Sequence, residues 1–224
     1  MEEKGIYRAD SLAVESVLST NKVLRNTYML LGMTLLFSAM TAGVSMAMNL
    51  SHGVGLILLL VGFGLLFVVN RMADTSKGLL AIFAFTGVMG ASLGPMLNAY
   101  LALPNGPQLV MQALGGTAVV FFGLSAYALT TRKDFSFMGG FLMVGLIVAV
   151  VAMIANIFLA IPALSLTISA AVVMIMSGLI LFDTSRIING GETNYIRATV
   201  SLYLNIYNLF IHLLSLITAL SGDD

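Results

Sequence analysis

Between Ser201 and Ser215 the apolar segment SLYLNIYNLFIHLLS carries Ser201, Asn205, Asn208, His212 and Ser215 at steps of four, three, four and three. That spacing aligns them on one helical face. Amides, hydroxyls and an imidazole in a row can hydrogen-bond to neighbouring helices, or can line a narrow path for water and ions. Exposure of such a stripe to lipid would be costly, so it should meet protein or water. Leu202, Leu209, Leu213 and Leu216 are then expected to turn toward lipid. His212, with an ordinary pKa of about 6.5, is suited to a pH response. Upstream, Asp183 closes the run GLILFDTSRI. It can pair with Arg186 one turn on, or with Arg71 or Arg197, or stand at the gate of a path. It is also a weak metal candidate, since hard cations take several oxygen ligands.

Other chemical signals fail on their context. The stretch GASLG, Gly90 to Gly94, fits the G-x-S-x-G pattern, but a nucleophile elbow needs a strand-turn-helix setting, and Ser92 lies in an apolar helical run. Only His52 and His212 could serve as a histidine base. There is no H-E-x-x-H, no cysteine and no Gly-rich nucleotide loop, which removes the usual metal and phosphate motifs. The last apolar run has no lysine for a retinal Schiff base. We expect neither enzymatic chemistry nor a resident cofactor.

The elements that must position these residues follow from composition. Of 224 residues, 59% are hydrophobic and 9% charged, against about 25% charged in a soluble domain, so the chain is an integral membrane protein. Net charge is zero, and no basic cluster points to nucleic acid. Runs of roughly 20 apolar residues suit a bilayer core of about 30 Å. Seven are marked off, near Tyr28 to Asn49, His52 to Val69, Gly78 to Leu101, Leu109 to Thr131, Phe135 to Leu159, Pro162 to Phe182 and Thr199 to Leu220. All charged residues fall outside them, and the absence of period-two patterning makes the spans helices. The fold class is therefore all-α, with a polar cytoplasmic tail over residues 1–27 and a single membrane domain over residues 28–224. All ten Lys and Arg sit in the tail or in alternate connections. This places the N-terminus in the cytoplasm and the C-terminus outside. Gly87, Gly90 and Gly94 lie close to one face of the third span, suited to tight packing, and Gly94-Pro95 could kink or hinge it.

The segment GLILFDTSRIINGGETNYIRATVSLYLNIYNLF resembles the C-terminal signature of the Bax inhibitor family of seven-span proteins. STNKVLRNTY, LGGTAVVFFGLSAYALTTRKDFSFMGG and GGETNYIRATVSLY are similar to its bacterial YccA-like branch. The resemblance runs from about Ser19 to Leu220. It implies six helices around a central seventh and a multi-pass location in the bacterial inner membrane. It also implies two activities: a pH-sensitive passive leak of calcium or other cations, with calcium bound transiently, and modulation of the membrane-anchored AAA protease FtsH, of which the protein would also be a substrate through its N-terminal tail. In the calcium-leak members a carboxylate in span six pairs with one in span seven, and an arginine ending span two partners the gate. The signature sets these at Asp183 and Asn205, with Arg71 near the third position. Asn205 departs from the pattern. An amide cannot titrate, so the shared proton of two close carboxylates is lost, and a weaker pH response is expected.

Overall fold

The computed structural model describes the backbone of residues 2–222 and the side chains of residues 20–222. Short turns rich in Gly, Pro, Asn and Ser divide it into seven helices: α1 (Glu2–Ala47), α2 (His52–Met72), α3 (Gly78–Leu101), α4 (Gly106–Thr131), α5 (Gly139–Leu159), α6 (Pro162–Ile188) and α7 (Tyr195–Leu220). A single 3₁₀ turn, Ser136–Met138, precedes α5. Among the described residues there is no strand. Each helix is long and apolar enough to cross a bilayer, the first over Thr20–Ala47. The tail expected over residues 1–27 lies mostly outside the described side chains.

Local chemistry sets the helix ends. Ser51 caps α2 by accepting the Val54 N–H, and Pro107 and Pro162 sit in the first turns of α4 and α6, where a missing N–H costs nothing. Asn194 accepts the N–H groups of Ile196 at 2.9 Å and Arg197 at 3.1 Å, starting α7. Gly190, at φ 74°, follows the cap of α6 and turns the chain in the left-handed conformation, which glycine adopts without the Cβ penalty.

These caps correct the expected limits at the charged end. The helix α6 runs on to Ile188 and α7 begins at Tyr195, so Asp183 and Arg186 lie within α6, Arg197 lies in the first turn of α7, and Arg71 lies in the last turn of α2. The long connection expected from Asp183 to Ala198 shrinks to residues 189–194. Hydropathy marks where hydrocarbon ends, whereas a helix goes on satisfying its own backbone beyond that point until a cap stops it.

The helix α7 is central. It packs directly against α1, α3, α4 and α6, while α2 and α5 back α3 and α6 from outside. Most of α5 therefore faces outward and half of α7 is buried. The lipid-facing ring expected on α7 does not form. Leu202 and Leu209 are both 0% exposed, and Leu213 and Leu216 are half-buried. A helix flanked by four others has no broad lipid face to offer.

Glycines let α1 and α3 approach backbone to backbone. A Cβ added at Gly87 would lie 2.6 Å from the Phe37 ring, one at Gly90 would overlap the Ser38 carbonyl oxygen, and one at Gly94 would overlap the Ser45 hydroxyl. On the other side of α3, Gly55 of α2 sits against Pro95, where its missing Cβ would fall 3.1 Å from the proline ring. Gly94 and Pro95 are thus held from both sides, which makes this segment a packed seam.

Candidate polar core and charged end

Asp183 and Asn205 meet where α6 and α7 cross near the charged end of the bundle. The Asn205 side-chain amide donates to the Asp183 carboxylate at 2.7 Å, and Asn205 is only 5% exposed. The charged groups beside Asp183 are Arg186 and Glu192. Arg186 is drawn away: it donates to the Gly191 carbonyl at 3.1 Å, approaches Glu192 at 4.0 Å and lies 5.5 Å from the Phe182 ring centre. Arg197 is engaged by Asp74. Arg71 is exposed and forms no ion pair among the described residues. Among those residues, then, the carboxylate is met by a neutral amide with no salt bridge, and the structure does not bring Arg71, Arg186 or Arg197 into contact with it.

The frame around this pair is locked. Two residues beyond Asp183, the fully buried Ser185 accepts the Phe135 N–H at 3.0 Å, donates to the Lys133 carbonyl at 3.0 Å and accepts from Asn189 at 3.1 Å. One hydroxyl ties the α4–α5 turn to α6. Thr184 meets the Tyr28 hydroxyl of α1 at 3.4 Å. The end of α2 is fastened to the start of α7 by Asn194, which donates to the Ala73 carbonyl at 2.9 Å and to Asp74 at 2.8 Å.

Further along α7 the stripe continues against α6. His212 shares a hydrogen bond of 3.1 Å with Ser169, and Asn208 turns back to its own helix, donating to the Leu204 carbonyl at 2.8 Å. His212, Ser169, Ser165 and Asn156 line an open cleft of ≈ 420 Å³ at the end of the bundle away from the charged loops. A second polar face escaped the sequence reading. Thr199, Tyr203 and Tyr207, four residues apart, lie about 200° round the helix from Asn205 and its neighbours. Thr199 donates to the Thr27 carbonyl at 3.3 Å, the Tyr203 hydroxyl contacts Ser38 at 2.7 Å and donates to the Thr86 carbonyl at 3.3 Å, and the Tyr207 hydroxyl meets Ser92 at 2.9 Å. Their i, i+4 spacing was visible, but tyrosine counts as apolar in a hydropathy reading. Ser92 of the GASLG stretch is thereby engaged with Tyr207 and with the Met89 carbonyl, while His212 bonds elsewhere. No nucleophile–base pair is formed there. Among the described residues no group of three or more His, Cys, Asp or Glu is placed to hold a metal.

Comparison with known sequences identifies this architecture. The profile of the family described as "Inhibitor of apoptosis-promoting Bax1" matches residues 20–222, all seven membrane-length helices included. The chain belongs to the Bax inhibitor family. Within it, the chain is 57% identical over 209 residues to "Modulator of FtsH protease YccA" of Escherichia coli K12, covering 93% of this chain and 94% of that protein. It is equally similar to "Inner membrane protein YccA" of Escherichia coli O6:H1. A membrane protein of Vibrio cholerae is 52% identical over 213 residues, 95% and 96% of the two chains. This Bax inhibitor family member is a multi-pass membrane protein whose core pair is one carboxylate and one amide.

Proposed function

We propose that the protein is a modulator, and itself a substrate, of the inner-membrane AAA protease FtsH. The observation that carries this reading is the identity of 57% over nearly the full length of both chains with a protein named as a modulator of that protease. The distribution of Lys and Arg supports a cytoplasmic position for the N-terminus and for the charged end. There the α2–α3 turn and the α6–α7 loop are interlocked through Asp74, Asn194 and Arg197. The N-terminal segment is long and polar enough to be engaged by a protease. Deleting residues 2–18 is expected to abolish co-purification with FtsH while leaving a folded bundle. Undiminished co-purification of the shortened protein would overturn the assignment of the handle.

A second reading, passive leak of calcium or other cations, is favoured by one observation: a core carboxylate held by an amide at 2.7 Å while the nearby arginines bond elsewhere. In this reading Asp183 and Asn205 form the gate, and Asn208 and His212 continue the path toward the cleft at the far end. Purified protein in calcium-loaded liposomes is expected to release calcium faster than empty vesicles, and Asp183→Ala to change that rate. A trace matching empty vesicles at every pH ends this reading and leaves the protease role standing.

A further inference from the structure

A cleft of ≈ 440 Å³ opens at the charged end, between the first described turns of α1, the end of α4 and the end of α6. Its lining has two parts. Leu24, Leu129 and Ile188 form an apolar floor, and Thr20, Asn21, Arg132 and Asn189 supply a polar rim. We propose that this cleft binds the phosphate headgroup of an anionic phospholipid, with the upper acyl chain lying on the floor.

The charge of the rim points to the ligand. Among the described residues, Arg132 is the one charged residue in the lining and no carboxylate lines the cleft. Among the described residues Arg132 has no ion-pair partner. Its nearest acid in sequence, Asp134, accepts the Ser136 N–H at 2.8 Å. Those Ser136 hydrogen bonds hold the Asp134 carboxyl below the usual carboxylate range, so it stays ionised but turned into its own loop. A guanidinium recognises phosphate through paired N–H donors, and hydroxyl and amide groups on the rim can add to it. An ethanolamine or choline cation would find no acid among the described lining residues, which favours anionic over zwitterionic headgroups.

The position of the cation is built into the backbone. Arg132 caps α4 in the left-handed conformation, φ 50°, with its N–H bonded to the Ala128 carbonyl at 2.9 Å. The next carbonyl, of Lys133, is pinned by Ser185. A non-glycine residue held at positive φ is uncommon, and here it fixes where the side chain leaves the helix. Basic pockets between membrane helices on the cytoplasmic side suit anionic headgroups. Apolar side chains directly beneath this one distinguish it from a site for free phosphate.

The test uses the full-length protein in neutral detergent, with native mass spectrometry and thermal unfolding as readouts and dioleoyl phosphatidylglycerol as the probe. One retained phosphatidylglycerol and a rise in melting temperature are expected, with Arg132→Gln weakening the apparent affinity about five-fold, the worth of one cation at an anionic lipid surface. Arg132→Gly removes the same charge while suiting the left-handed backbone, so it must show the same loss even where Arg132→Gln is unstable. Lys133→Gln, which alters a neighbouring cation outside the lining, should leave retention unchanged. Equal retention of phosphatidylcholine, or equal losses from Lys133→Gln, would reduce the effect to diffuse attraction and overturn the site. Stabilisation by glycerol 3-phosphate as strong as by the lipid would overturn the lipid assignment.

Discussion

Replacing Gly90 by leucine is expected to yield no folded protein. Even the first added carbon would overlap the Ser38 carbonyl oxygen and lie 2.6 Å from the Ser38 hydroxyl. A backbone oxygen cannot swing aside as a flexible side chain can, so α1 would have to leave α3. Inserting extra carbons into a well-packed core costs about 1–3 kcal/mol where neighbours can adjust, and here the neighbour is main chain. Separation would also pull Ser38 from Tyr203, a contact of 2.7 Å in the core. Size-exclusion profiles and thermal unfolding of the detergent-solubilised variant provide the measurement. Gly123→Leu is the control, because nothing lies within 4 Å of a Cβ added there, and it should behave as the parent protein does. A Gly90→Leu variant that elutes and melts like the parent would show that the α1–α3 seam is looser than described.

Asn205→Asp is expected to convert the core pair into a proton-dependent one. The amide nitrogen now lies 2.7 Å from an Asp183 oxygen, and two carboxyl groups at that separation cannot both ionise without strong repulsion. They share a proton and titrate as a unit. At neutral pH the folded variant keeps that proton, whereas in the unfolded chain both groups are ionised at their ordinary pKa values near 4. The folded state then binds more protons than the unfolded state, so stability falls as pH rises, by up to about 1.4 kcal/mol per pH unit. Melting temperatures between pH 5 and pH 8 should therefore drop more steeply than those of the parent. In the leak reading, calcium release from liposomes should become more strongly pH-dependent in the same variant. Superimposable pH profiles from a folded Asn205→Asp protein would mean that the two side chains are not in contact in solution.

Span count and type were legible because a helix in hydrocarbon must announce itself by apolar length. Gly78–Leu101 is the same in both readings, since a charge precedes it and a polar turn follows it. The charged end was less legible: Asp183 appears terminal by hydropathy yet is interior to α6, because Asn189 and Gly190 decide where that helix stops. On α7 the Asn205 stripe was readable as a face, but the direction of that face was not. Of the leucines expected to meet lipid, Leu202 and Leu209 are core residues, and the hydroxyls of Tyr203 and Tyr207 find Ser38 and Ser92 on helices more than a hundred residues away in the chain. Periodicity reports that a helix has two sides, and only the positions of the other helices say what each side meets. The Arg132 cleft was invisible for a related reason, as its lining comes from three separated segments.

The central helix is also the last of the seven in chain order, which has a consequence for biogenesis. Domains form from the N-terminal side during synthesis, at roughly 5–20 residues per second, so α1 to α6 reach the bilayer seconds before the helix that they enclose. During that interval the partners of α7 on the wall, Ser38, Ser92, Asp183 and Ser169 among them, have no α7 groups to bond to. Arrival of α7 completes both polar faces in one step and closes the clamp between Asp74 and Arg197. Completion of the bundle's polar contacts therefore waits on the last helix. A chain released before that point would present unsatisfied polar groups within the membrane, a signature by which quality control could separate unfinished chains from finished ones.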